Sequence, residues 1–137
     1  MYENALTKAQ ELVPGCIAAA FVDMRAGMLL GLKTLDSQPR EVLGLVAMAT
    51  GDLFLGKNAQ AIEHLFERSR GASEEGAQRL REIMVMSDDT VHLFQRCQFD
   101  QDLVLVMVCR SGTNLGMVLT RARGALPIIE AAASRRS

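Results

Sequence analysis

Apolar residues recur along this chain in two rhythms, and the switches between them mark out its elements. Leu6, Ala9, Leu12 and Val13 return at three- and four-residue spacing, which places them on one face of a helix that Pro14-Gly15 terminates. Cys16 to Met24 is then almost continuously apolar, the pattern of an interior strand covered on both faces. Turn formers follow in Asp23-Met24-Arg25-Ala26-Gly27, and Met28 to Leu35 resumes an apolar strand pattern, so the two segments read as a β-hairpin.

From Pro39, a residue suited to a helix start, Arg40 to Arg70 contains no further proline and ends at Gly71, a natural helix C-cap. Val42, Leu45, Val46, Ala49 and Leu53 form one apolar stripe on this long helix. Met48, Leu55, Ala59, Ile62 and Phe66 form a second, rotated by about 120° at about 100° per residue. One stripe can rest on the chain's own sheet; the other requires a cover from outside, most simply a second copy or another protein. Gly51 and Gly56 weaken the middle, where a kink or break is expected.

The polar segment Gly71-Ala72-Ser73-Glu74-Glu75-Gly76 connects that helix to three more strands, Leu80 to Met86, Val91 to Cys97 and Leu103 to Cys109. Ser87-Asp88-Asp89 and Asp100-Gln101-Asp102 are short enough to join antiparallel neighbours. Continuous apolar character makes the first and last of the five strands the central ones. Ser111-Gly112-Thr113-Asn114 opens a closing helix with Leu115, Val118, Leu119, Ala122, Leu126 and Ile129 along one face, bent by Pro127 before the solvated tail Ser134-Arg135-Arg136-Ser137.

Length and charge narrow the class. With 137 residues, 49% of them hydrophobic, the chain forms a single α/β domain spanning 1–137 that needs no metal or disulfide to hold a core. A net charge of -1, no tryptophan and one tyrosine exclude a general nucleic-acid binder or a stacking platform. Met1 to Leu12 lacks the apolar stretch of a signal peptide, and no apolar run approaches the roughly 20 residues of a membrane-spanning helix. A cytoplasmic protein with no membrane insertion is expected. Cys16, Cys97 and Cys109 are an odd, widely spaced set and read as reduced, buried, small hydrophobes in strands.

Candidate chemistry is thin. Gly51-Asp52-Leu53-Phe54-Leu55-Gly56-Lys57-Asn58 falls one residue short of a phosphate-binding loop, since Asn58 stands where a magnesium-binding Ser or Thr is needed; a glycine-interrupted helix is the better reading. His64 and His92 lie on different elements without metal-ligand partners. Asp88-Asp89 is a turn, and Ser87 and Ser111 have neither a nucleophile elbow nor a nearby histidine. Most of the eight methionines, Met84, Met86 and Met107 among them, are expected to fill core. No catalytic residue, cofactor or metal site is therefore expected, and the chain does not read as an enzyme.

Val13-Pro14-Gly15, the apolar strand that follows, and Val22-Asp23 with Gly27 resemble the opening hairpin of the roadblock/dynein light chain family, and Leu103 to Val108 with Asn114-Leu115-Gly116 is similar to its last strand and final helix start. The resemblance covers about residues 3–132, with Pro127 and the Gly51/Gly56 interruption as departures. It implies a roadblock/profilin-like α/β sandwich: a five-stranded antiparallel sheet with one long helix on one face and the N- and C-terminal helices on the other. It also implies a homodimer in which Met48, Leu55, Ala59, Ile62 and Phe66 face the other subunit, while Ile83 and Val85 belong to a strand that pairs edge to edge with its copy. Family members are scaffolds, some for dynein intermediate chains and many for Ras-like small GTPases whose nucleotide state they regulate. The expected function is such a GTPase-binding module, with Arg25, Arg96 and Arg110 unranked as arginine fingers; the alternative is a small-ligand sensor of profilin-like architecture with a pocket between sheet and helix.

Overall fold

Each apolar run of the sequence becomes a strand, and the strands close into one antiparallel sheet. The computed structural model describes residues 2–35, 40–69 and 80–134, with side chains for all of these but 40–45, 47, 66, 67 and 69. Its elements are α1 (Glu3–Leu12), β1 (Cys16–Asp23), β2 (Met28–Thr34), α2 (Arg40–Leu55), α3 (Lys57–Ser69), β3 (Glu82–Met86), β4 (Thr90–Arg96), β5 (Leu103–Arg110) and α4 (Leu115–Ser134). Strand order is β2-β1-β5-β4-β3, with every neighbouring pair antiparallel. The two most continuously apolar strands, β1 and β5, pair with each other in the interior; β2 and β3 form the edges, and the more polar β4 lies between β5 and β3.

The β1–β2 hairpin turns where the sequence places its turn formers. Asp23 Oδ1 accepts the backbone N–H groups of Arg25 and Ala26 at 3.0 and 3.1 Å, and Gly27 completes the turn at φ 67°. At the other end of the chain, Asn114 Oδ1 accepts the Met117 N–H at 3.1 Å, capping α4 as its position before the apolar stripe requires.

The sheet is covered unequally. On one face α1 and α4 pack together over Phe21, Leu93, Leu105 and Met107, closing a large core with Leu6, Val118, Ala122 and Ile129, each 0% exposed. On the other face Phe54 of α2 reaches a smaller cluster of Ala20, Val22, Met24, Phe94, Val104 and Val106, with Leu53 and Ile83 packed at its margin. The second face is thus the thinner half of the core.

Three expectations are corrected. The long helix is two helices, and the break falls at Gly56 alone, Gly51 remaining inside α2. At the break Gln60 Nε2 donates to the Leu55 carbonyl at 3.1 Å, replacing a lost backbone partner. Cys97 lies one residue beyond β4, although it is buried as expected. Finally, Met24 and Met107 are core residues, but Met28, Met48, Met86 and Met117 are exposed, because alternation on an edge strand and the outer faces of helices turn them outward. The helix boundaries at Pro39 and Gly71, the connection Gly71 to Gly76 and the last three tail residues lie outside the described residues. The closing helix runs through the exposed Pro127 to Ser134.

Candidate interaction face

On the thinly covered face, apolar side chains that would ordinarily be buried stand in the open. Met48 and Leu55, seven residues apart on one side of α2, are 64% and 40% exposed; Ile62 and Leu65 on α3 are 46% and 62% exposed. On the adjoining edge strand β3, Val85 is 41% exposed and shares its sheet face with Ile83, which packs into the smaller cluster. Four of the residues expected to face a second subunit, Met48, Leu55, Ile62 and Val85, therefore lie on the outside of the chain, and Ile83 is half-buried.

Ala59 does not join them. It is 7% exposed and buried within the chain, although Ile62, three residues further along the same helix, is exposed. The side chain of Phe66 lies outside the described set. Sequence reasoning missed Leu65 and Met86 as exposed members; Leu65, three residues after Ile62, carried a usable signal in its helical spacing.

What holds this face in place is polar. Arg96 is 2% exposed in its side chain, donates from Nε to the Gln101 carbonyl at 2.8 Å and from Nη1 to the Leu80 carbonyl at 3.2 Å, and lies 5.2 Å above the Phe54 ring. Glu63 of α3 stands 3.7 Å from the guanidinium and accepts the Leu80 N–H at 2.8 Å. This group pins α2 and α3 to the β3–β4 end of the sheet and removes Arg96 from the set of arginines a partner can touch. Arg25 and Arg110 are exposed, Arg25 lying 3.8 Å from Asp102. Across the sheet Arg123 of α4 grips Glu82 of β3 with two bonds of 2.8 and 2.7 Å, and the guanidinium holds the Glu82 carboxyl below its ordinary value.

The remaining chemical candidates resolve as structure. Gly51 to Leu55 lies inside α2, so helix rather than strand leads into the glycine-rich segment and it is not a phosphate loop. An open groove of about 370 Å³ lies between α2 and the hairpin turn, lined by Met24, Arg25, Met48, Asp52 and Leu55. Asp88 and Asp89 form the β3–β4 turn, whose carbonyls accept from Ser111. His64 is exposed, and His92 is half-buried on β4. Among the described residues no cluster of His, Cys, Asp or Glu could hold a metal ion, and no helix is long and apolar enough to cross a membrane.

A Roadblock/LC7 domain from Streptomyces avermitilis superposes with a TM-score of 0.66 at 11% identity, covering 95% of each chain. The chain has the roadblock fold. The gliding protein MglB from Thermus thermophilus is similar over 97% of this chain and 88% of its own, at 18% identity and a TM-score of 0.68. An MglB with a tetrameric arrangement is similar over 96% and 91%, at 22% identity and a TM-score of 0.64. No family model matches the sequence, and no curated protein does. In this chain α1 and α4 close one face of the sheet, while α2 and α3 cover the other more thinly.

Proposed function

We propose that this chain is a non-catalytic homodimeric module that binds a Ras-like small GTPase and regulates its nucleotide state. The observation that carries the reading is the exposed apolar row Met48, Leu55, Ile62 and Leu65 beside the edge strand β3. Water-exposed side chains of this size, next to unpaired strand edges, are stabilised by a matching surface, and a second copy supplies both an apolar helix face and a strand to pair with. Support comes from the roadblock fold and from its likeness to an MglB described as having a tetrameric arrangement. In the pair, Met48, Leu55, Ile62, Ile83, Val85 and Phe66 are assigned to the contact; Ala59 supports the helix from within. Regulation of the GTPase proceeds by holding that protein's own catalytic groups in place.

The test is recovery of partners from native lysate with the tagged protein, in parallel with excess GDP and with a non-hydrolysable GTP analogue, followed by mass spectrometry and a hydrolysis assay. A small GTPase retained in the GTP-analogue arm alone, with altered hydrolysis, is the expected result. No small GTPase in either arm overturns the partner assignment.

A further inference from the structure

Three widely spaced cysteines look unrelated in the sequence, and the fold brings two of them together. Cys16 opens β1, Cys109 sits near the end of β5, and the strand register sets them directly opposite one another. Residues so placed in an antiparallel pair project to the same face with Cα atoms about 4.5–5.5 Å apart, within the roughly 4.4–6.8 Å that a disulfide spans. Both belong to the core under α1 and α4, at 8% and 0% exposure, and all three cysteines are free thiols.

The immediate surroundings favour chemistry between the two. The Cys16 thiol lies 3.2 Å from the Ala18 carbonyl and within hydrogen-bonding reach of the Cys109 sulfur, which makes Cys109 the easier of the two to deprotonate and Cys16 the harder. Cys97, by contrast, has no thiol opposite it in the register, and burial beside Glu130 and Asp100 pushes its pKa up to about 12. One end of the β1–β5 pair thus holds two sulfurs side by side, at the point where the Gly15 carbonyl accepts the Arg110 N–H and the turn into α4 begins.

We propose that Cys16 and Cys109 form a reversible oxidation site at which a peroxide converts the dithiol into a cross-strand disulfide. The Cys109 thiolate attacks one oxygen of hydrogen peroxide; the O–O bond breaks, and the departing hydroxide takes up the proton that Cys109 gave up, leaving as water. The resulting sulfenic acid is attacked by the Cys16 sulfur, so that the S–S bond forms, the S–O bond breaks, and the Cys16 proton leaves with the second water. Two thiols are oxidised by two electrons and one peroxide is reduced to two waters. A dithiol reductant reverses the step. The product ties the start of β1 to the end of β5, fixing the segment from which α1 departs and α4 begins.

Folded full-length protein is treated with hydrogen peroxide, alkylated in denaturant and weighed by intact mass spectrometry, with circular dichroism before and after to check the fold. Alkylatable thiols are expected to fall from three to one, with a peptide joining Cys16 to Cys109, and dithiothreitol is expected to restore all three. Cys97→Ser should form the same link, while Cys16→Ser and Cys109→Ser should not; the wild-type result decides the matter if either of these fails to fold. Three thiols persisting after peroxide, a link that includes Cys97, or oxidation that stops at a single sulfinic acid each overturns the proposal.

Discussion

One oxygen of Glu63 serves both Arg96 and the chain leading into β3: Oε2 lies 3.7 Å from Arg96 Nη1 and accepts the Leu80 N–H at 2.8 Å. The arginine side chain is 2% exposed, so removing the carboxylate takes an acidic partner from an enclosed positive charge. Breaking a buried pair in this way costs about 3–5 kcal/mol. Glu63→Ala should therefore lower unfolding stability in urea by that order. Replacing both partners, Glu63→Leu with Arg96→Met, should lose less than Glu63→Ala alone, since the buried guanidinium is removed together with its carboxylate. A Glu63→Ala protein within 1 kcal/mol of wild type, on the scale of ordinary surface changes of about 0.5 kcal/mol, would remove Glu63 from the anchor.

The grip of Arg123 on Glu82 gives a pH dependence whose sign follows from the bond. Arg123 holds the folded carboxyl below its ordinary value of 4.5, so above that value the folded state alone gains from the ionised pair. As pH falls below 4.5 the unfolded chain takes up a proton that the folded chain resists, and stability declines until the folded carboxyl titrates as well. Wild type and Glu82→Gln should differ by a constant amount between about pH 6 and 8, and the gap should close in acid. Thermal unfolding followed against pH measures this; a gap unchanged down to pH 3 would contradict it.

At Ile62 the isolated chain offers a clean test of self-association. Its side chain is 46% exposed, so an aspartate there can be hydrated in a single subunit without disturbing the core. In a dimer the same aspartate is buried unpaired, at a cost of several kcal/mol. Ile62→Asp should sediment at the mass of one 15.0 kDa chain while keeping the wild-type circular dichroism spectrum. Phe66→Asp makes the same test one turn further along the chain. Two soluble dimers from these variants would move the interface elsewhere.

Gly15 sets up the start of β1 with φ at 70°, and a methyl group there would stand 2.5 Å from Thr113 Oγ1. The left-handed backbone alone costs a non-glycine residue about 1–2 kcal/mol, and the collision adds to it. Gly15→Ala should lower the melting temperature by more than Gly27→Ala, where φ is 67° but no atom lies within 4 Å of the added carbon. Equal losses in the two variants would show that Thr113 yields freely.

Much of this architecture was legible in the residues, for reasons that differ by element. The unbroken apolar runs of β1 and β5 require cover on both faces, which only interior positions provide, and Asp23 with Gly27 leaves the hairpin little choice of turn. The helix break was legible as a glycine pair but not as Gly56 in particular, because the choice depends on the Gln60 cap and on tertiary contacts. Ala59 escaped because it shares the helical spacing of Ile62, which is exposed, and only the tertiary packing buries the smaller side chain. Arg96 sits in a polar-looking strand, and nothing local distinguishes it from an exposed arginine; its burial depends on Phe54, Glu63 and Leu80, all distant in sequence. The meeting of Cys16 and Cys109 is a matter of strand register, which no spacing within the chain reveals.

Because α1 and α4 lie together on one side of the sheet, with Leu6 and Ala133 in the same core, both helices anchor whatever is attached to their outer ends away from α2 and α3. A fluorophore or affinity handle joined ahead of α1 or beyond α4 therefore leaves the opposite side free, and a surface to which the protein is tethered by either end lies away from Met48, Leu55 and Ile62.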